Sequence, residues 1–106
     1  MLPITLGADL GRPLSILCLG AHSDDIEIGL GATLLRLLAE RPGTHVHWAV
    51  FSADEQRAAE AQASAEAFLD AAGTSEFTQY RFRESYFPYV GAEVKDAFEA
   101  LNSAAA

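Results

Sequence analysis

Apolar and polar positions fall in blocks along this chain, and the periods of those blocks predict three strand–helix pairs. Leu14-Ser-Ile-Leu-Cys-Leu-Gly20 is a short, nearly continuous apolar run, which suits a central strand covered on both faces, as parallel sheets require. From about Asp24 to Arg41 the period becomes helical, with Ile26, Leu30, Leu34, Leu37 and Leu38 on one stripe. Ile28 and Leu35 widen that stripe, so this helix is expected to be well buried, and Pro42-Gly43 ends it.

His45 to Ser52 is rich in β-forming residues and reads as a second strand. Ser52-Ala-Asp-Glu55 has the capping-box pattern, in which a serine and a glutamate satisfy free backbone donors at a helix start. The helix that follows is expected to run to about Ala72, with Ala58, Ala61, Ala65, Phe68, Leu69 and Ala72 on one face and Gly73 as its stop. Glu76 to Phe82 alternates as a third strand. Ser85-Tyr-Phe-Pro-Tyr89 is an aromatic loop, and Gly91 to Leu101 a third helix with Val94, Phe98 and Leu101 inward.

Strand and helix thus alternate three times. That order implies right-handed crossovers and an α/β fold, a mostly parallel sheet with helices on its faces. Residues 1–13 show no periodicity and read as an extended lead-in to a domain covering 14–106. An open three-stranded unit leaves a strand edge to cover, so the unit is expected to be half of something larger.

Composition narrows the classes. The 106 residues allow one domain and are too few for two. Half are hydrophobic and 21% charged, too apolar for a disordered chain. A net charge of −8 argues against a nucleic-acid or anionic-membrane surface, because phosphate binding needs Lys and Arg in excess. Cys18 is the single cysteine, so no intrachain disulfide forms. Neither a signal peptide nor a membrane span is legible, and the expected location is the cytoplasm.

The chemistry concentrates in Gly20-Ala-His-Ser-Asp-Asp-Ile-Glu27, where the first strand gives way to the first helix. Ligands of open α/β sheets bind at this carboxyl end of the strands. His22 and Asp25 are placed to converge on one divalent ion, since imidazole and carboxylate are both good zinc ligands. Asp24 stands between them, able to face the ion's water without ligating. An aspartate alone would read as a helix cap, favoured by free N–H groups and the helix dipole. Two aspartates beside a histidine shift the balance toward metal.

The stretch Leu17-Cys-Leu-Gly-Ala-His-Ser-Asp-Asp-Ile-Glu-Ile-Gly-Leu-Gly-Ala-Thr-Leu34 resembles the opening motif of the LmbE/PIG-L deacetylase family, Ala-His-Pro-Asp-Asp-Glu followed by a glycine-rich helix start. A weaker likeness continues through Arg57-x-x-Glu60 and on to about Leu101. Ser23 stands where the family has proline, Ile26 where it has glutamate, and Ala32 in place of a second glycine. The resemblance implies a Rossmann-like three-layer sandwich, of which this chain is the N-terminal βαβαβα part. It implies Zn2+ held by His22 and Asp25, Asp24 as general base, and Arg57 reaching the substrate cleft. The implied reaction removes the acetyl group from an N-acetylated amino sugar, leaving a free amine and acetate. The family draws a further zinc histidine, and usually a histidine acid, from a segment downstream of where this chain stops.

His45 and His47 do not replace that ligand. They begin the second strand, and His47 lies five steps of ~3.3 Å, roughly 16 Å, from the metal's end of the sheet. They read as surface residues of one sheet face. Gly29-x-Gly31 does not read as a phosphate loop, because two aspartates precede it and no basic residue is near. By the same lack of basic residues a metal phosphoesterase is disfavoured. Arg57 and Glu60 read as a solvated ion pair, Cys18 as core, and the Tyr86–Tyr89 aromatics as packing against the third helix. The alternative to a deacetylase is a non-catalytic α/β module with weak metal binding or none.

Overall fold

The computed structural model describes residues 12–52 and 54–105; the lead-in before Arg12 lies outside them. Its elements run β1 (Ser15–His22), α1 (Asp25–Glu40), β2 (His45–Ser52), α2 (Glu55–Leu69), β3 (Thr74–Gln79), a 3-10 turn (Phe87–Val90) and α3 (Gly91–Ala105). The three strands form a parallel sheet in the order β1-β2-β3, so the α/β arrangement expected from the alternation is the observed one.

Burial follows from strand order. β2 is central, and every residue of it after His45 is buried, because a neighbouring strand lies on each edge and helices on each face. Successive residues face opposite layers. Val46, Trp48 and Val50 pack with Cys18 against Ile26, Leu34 and Leu38 of α1 and Ala65 and Leu69 of α2. Ala49 and Phe51 pack on the other side against Ala97 and Leu101 of α3. Phe51 also stacks on Phe98 at 4.8 Å and on Tyr80 at 5.1 Å between ring centroids. Three layers result.

Several local expectations shift. α1 is not buried all round: Ile28 is 85% and Leu35 43% exposed, because α1 meets the sheet only through its Ile26–Leu34–Leu38 side. The start of α2 is not a capping box. Ser52 still belongs to β2, pairing with His22, and Asp54 is the cap, its Oδ1 accepting the Arg57 N–H at 2.8 Å. A two-residue shift suffices because aspartate is as strong a cap as serine. α2 also ends at Leu69, short of Ala72.

β3 starts earlier than its alternation suggested, since the Thr74 and Ser75 backbones pair with His45 and Val46. Beyond Gln79, Tyr80 N–H donates to the Val50 carbonyl and Phe82 N–H to that of Phe51, so the chain stays beside β2. α3 continues past Leu101, and Phe98 on it is 41% exposed despite its ring stack. Among the described residues no helix is long and apolar enough to cross a membrane.

Candidate functional site at the carboxyl end of the sheet

β1 ends on His22 itself, one register position beside Ser52, the last residue of β2. Ser23 and Asp24 make the turn into α1. Asp24 carries φ 74°, in the left-handed region, and holds the N-cap position. Aspartate and asparagine tolerate that region better than most residues. The Asp24 carbonyl accepts the Ile28 N–H at 3.0 Å, but its carboxylate makes no capping hydrogen bond. The simple cap reading therefore does not explain this side chain.

Asp25 folds back instead. Its Oδ2 accepts the His22 backbone N–H at 2.9 Å and lies 3.6 Å from His22 Nδ1. Both side chains are about half exposed, at 44% and 50%. Gly20 permits this crossing: a Cβ there would stand 3.0 Å from Ile26 Cγ1 and 3.3 Å from the His22 carbonyl oxygen. The Phe87 ring stacks on the imidazole at 5.7 Å between centroids with an interplanar angle of 10°.

A cavity of about 220 Å³ opens beside His22. Ser23, Ser52 and Asp54 line it from the strand ends and the start of α2, Arg57 from the first turn of α2, and Arg83 and Glu84 from the loop after β3. Asp24 and Asp25 are not part of that lining. The structure thus brings His22 together with Asp25 on one side and with Arg57 on the other. The two arginines also overturn the argument from a lack of basic residues near the motif. The resemblance already directs Arg57 to the cleft, whereas sequence spacing hid Arg83, which comes from beyond the end of β3 and is brought here only by the parallel register.

The Arg57–Glu60 pair is not among the ion pairs of the described residues; on helices those join Arg36 to Glu40 and Lys95 to Glu99. The aromatic loop does more than pack on α3. Phe87 reaches His22, Tyr86 lies under the Arg83 guanidinium at 4.0 Å, and Tyr89 is 82% exposed. Gly29 and Gly31 sit inside α1 rather than in a loop, which removes the phosphate-loop geometry.

Two donors fit a divalent metal. Tetrahedral ligands at 2.0–2.2 Å stand about 3.3 Å from one another, close to the 3.6 Å between His22 Nδ1 and Asp25 Oδ2. No group of three or more His, Cys, Asp or Glu able to hold a metal occurs among the described residues. His45 and His47 are far away, His45 pairing with Ser15 at the other end of β1. They are not simply surface residues, because His47 is 8% exposed. Each has one ring nitrogen on a threonine hydroxyl, His45 with Thr74 at 2.6 Å and His47 with Thr78 at 2.8 Å. The other nitrogen of each lies 3.6 Å from Glu76.

Set beside known proteins, the chain matches no family model, no curated protein and no solved structure. What defines it is a three-layer α/β unit with a histidine–aspartate pair beside a two-arginine cavity.

Proposed function

We propose that this chain carries the first metal-ligand motif of a zinc-dependent hydrolase that removes the acetyl group from an N-acetylglucosamine-type amide. The observation that carries the reading is the approach of His22 Nδ1 to Asp25 Oδ2, 3.6 Å, at the carboxyl end of the sheet and beside a cavity. His22 and Asp25 would hold the zinc. Bound zinc supplies Lewis acidity, polarising an amide carbonyl and making water more acidic.

Within this reading the side chains divide the work. Asp24, free of a capping bond, takes the proton of the attacking water and returns one to the leaving amine. Water adds across the amide, and acetate and a free amine leave. Phe87 fixes the plane of the His22 ring, and Arg57 faces the substrate from the cavity wall. A lone buried thiol suits a reducing compartment, and the cytoplasm is the location this reading takes.

The absence of a third donor among the described residues favours a second reading, a non-catalytic module. Calorimetric zinc titration tests the ligand pair, and release of acetate from an N-acetylglucosaminyl substrate, absent in a non-catalytic module, separates the two. The proposal expects weak one-site binding that His22→Ala abolishes and His45→Gln leaves alone, because catalytic zinc normally has three protein ligands. Binding that survives His22→Ala, or no binding at all, overturns it.

A further inference from the structure

The cavity gathers a disproportionate share of the chain's few cations, set against two carboxylates, Asp54 and Glu84. Net charge is −8 and only seven residues are Lys or Arg, yet two of them, Arg57 and Arg83, line the cavity beside His22. Arg36 and Lys95 each hold a glutamate on their own helix, at 2.9 Å and 2.6 Å. Neither cavity arginine has such a partner among the described residues, although Asp54 and Glu84 share the lining. One oxygen of Asp54, Oδ1, is engaged in capping α2 through the Arg57 backbone N–H.

Arg83 is held, but by an aromatic ring. A tight turn, with Ser85 at φ 69° and Tyr86 N–H donating to the Arg83 carbonyl at 3.1 Å, folds the Tyr86 ring under the guanidinium at 4.0 Å. The ring contact thus holds the cation without a carboxylate partner. Ser23 and Ser52 add hydroxyl donors to the same wall. The volume, about 220 Å³, is below the ~300–1,000 Å³ common for ligand sites and suits one small group.

We infer that this cavity binds an anionic oxygen group, a phosphate or carboxylate carried by the substrate, with Arg57 and Arg83 as its donors. That the anion is attached to an amino sugar rests on the function proposed above; the anion site itself does not.

The test uses metal-free protein and calorimetry with four probes: N-acetylglucosamine, its 1-phosphate, N-acetylmuramic acid as the carboxylate, and inorganic phosphate. At least one anionic sugar is expected to bind tenfold or more tighter than the neutral one, and to weaken as salt rises. Arg57→Gln and Arg83→Gln should each remove most of that advantage. Arg81→Gln, outside the cavity, should not, and circular dichroism checks that all three variants fold. Whichever anionic sugar binds tighter identifies the group. Phosphate binding lost in Arg83→Gln, with no sugar bound, sustains the anion site and sinks the sugar reading. Equal affinity for neutral and anionic sugars, or full affinity in both cavity variants, overturns the inference while leaving the hydrolase proposal standing.

Discussion

Gly73 lies directly against the backbone of Gly43: a Cβ built on Gly73 would stand 2.6 Å from the Gly43 Cα and 2.8 Å from its carbonyl oxygen. The Gly73 N–H donates to the Thr44 carbonyl at 2.9 Å, so this contact brings the start of β3 beside the start of β2. Backbone cannot swing aside as a side chain can. Gly73→Ala is therefore expected to destabilise the fold by about 1–3 kcal/mol, the usual cost of overpacking. Gly29 is the control: nothing lies within 4 Å of a Cβ there, mid-helix. Gly29→Ala should stabilise by about 0.5–1 kcal/mol. Urea unfolding of both variants checks the pair; a neutral Gly73→Ala would contradict the contact.

Asp24 and His22 should separate chemistry from metal binding. Asparagine tolerates the left-handed turn at Asp24 as well as aspartate does, so Asp24→Asn should fold and keep zinc. With a third donor supplied by added imidazole, its turnover on an N-acetylglucosaminyl substrate should drop ~10²–10⁴-fold. His22→Ala should lose zinc and turnover together. Zinc stoichiometry measured beside rate decides it: equal zinc loss in both variants would remove the division of labour between these residues.

Asp54 ties stability to the cavity. Its carboxylate caps α2 by accepting the Arg57 N–H, and removing such a cap costs about 0.5–2 kcal/mol. Asp54→Ala should lower stability by that amount in thermal or urea unfolding. Asp54→Ser should restore most of it, because serine caps nearly as well. Ser52→Ala should not mimic Asp54→Ala, since Ser52 belongs to β2 and not to a capping box.

Cys18 gives the chain an alkaline weakness. Burial pushes its thiol up from the ordinary 9.0 to about 11. The unfolded chain thus releases this proton near pH 9 and the folded chain only near pH 11. Between those values the unfolded state binds fewer protons, so stability falls as pH rises, by about 1.4 kcal/mol per unit. Below that window the thiol is neutral in both states and contributes no slope. Cys18→Ala should flatten this part of the stability profile, read as the difference from the parent so that tyrosines and lysines cancel.

The sequence was most legible where one period dominated. The β2 run from His45 to Ser52 has its observed bounds because Val46, Trp48, Val50 and Phe51 mark it as a strand, whereas the β1 run, as apolar as a central strand, lies at the sheet edge with Leu19 45% exposed. The alternation of elements likewise carried the sheet's parallel order. What it could not carry was anything that depended on which side of an element meets a neighbour. Ile28 and Leu35 are as apolar as Leu34, and only the seating of α1 on the sheet leaves them outside. The same holds for the site: His22 and Asp25 are three residues apart and could be paired by eye, whereas Arg83 arrives from the far edge strand. No local pattern marks it. Its only local trace is the Arg83–Tyr86 spacing within a turn.

The central position of β2 has a kinetic consequence. Both neighbours of β2 reach it only through a helical crossover, so neither ladder can form before an entire helix has been looped out. Such non-local pairing slows folding. The amides in the middle of β2 should then exchange with solvent only when the whole molecule opens, at rates set by global stability. The chain's single tryptophan, Trp48, sits at that spot with no exposed surface. Its fluorescence is accordingly a built-in clock for the complete folding event, silent to fraying at α3 or in the loop carrying Arg83.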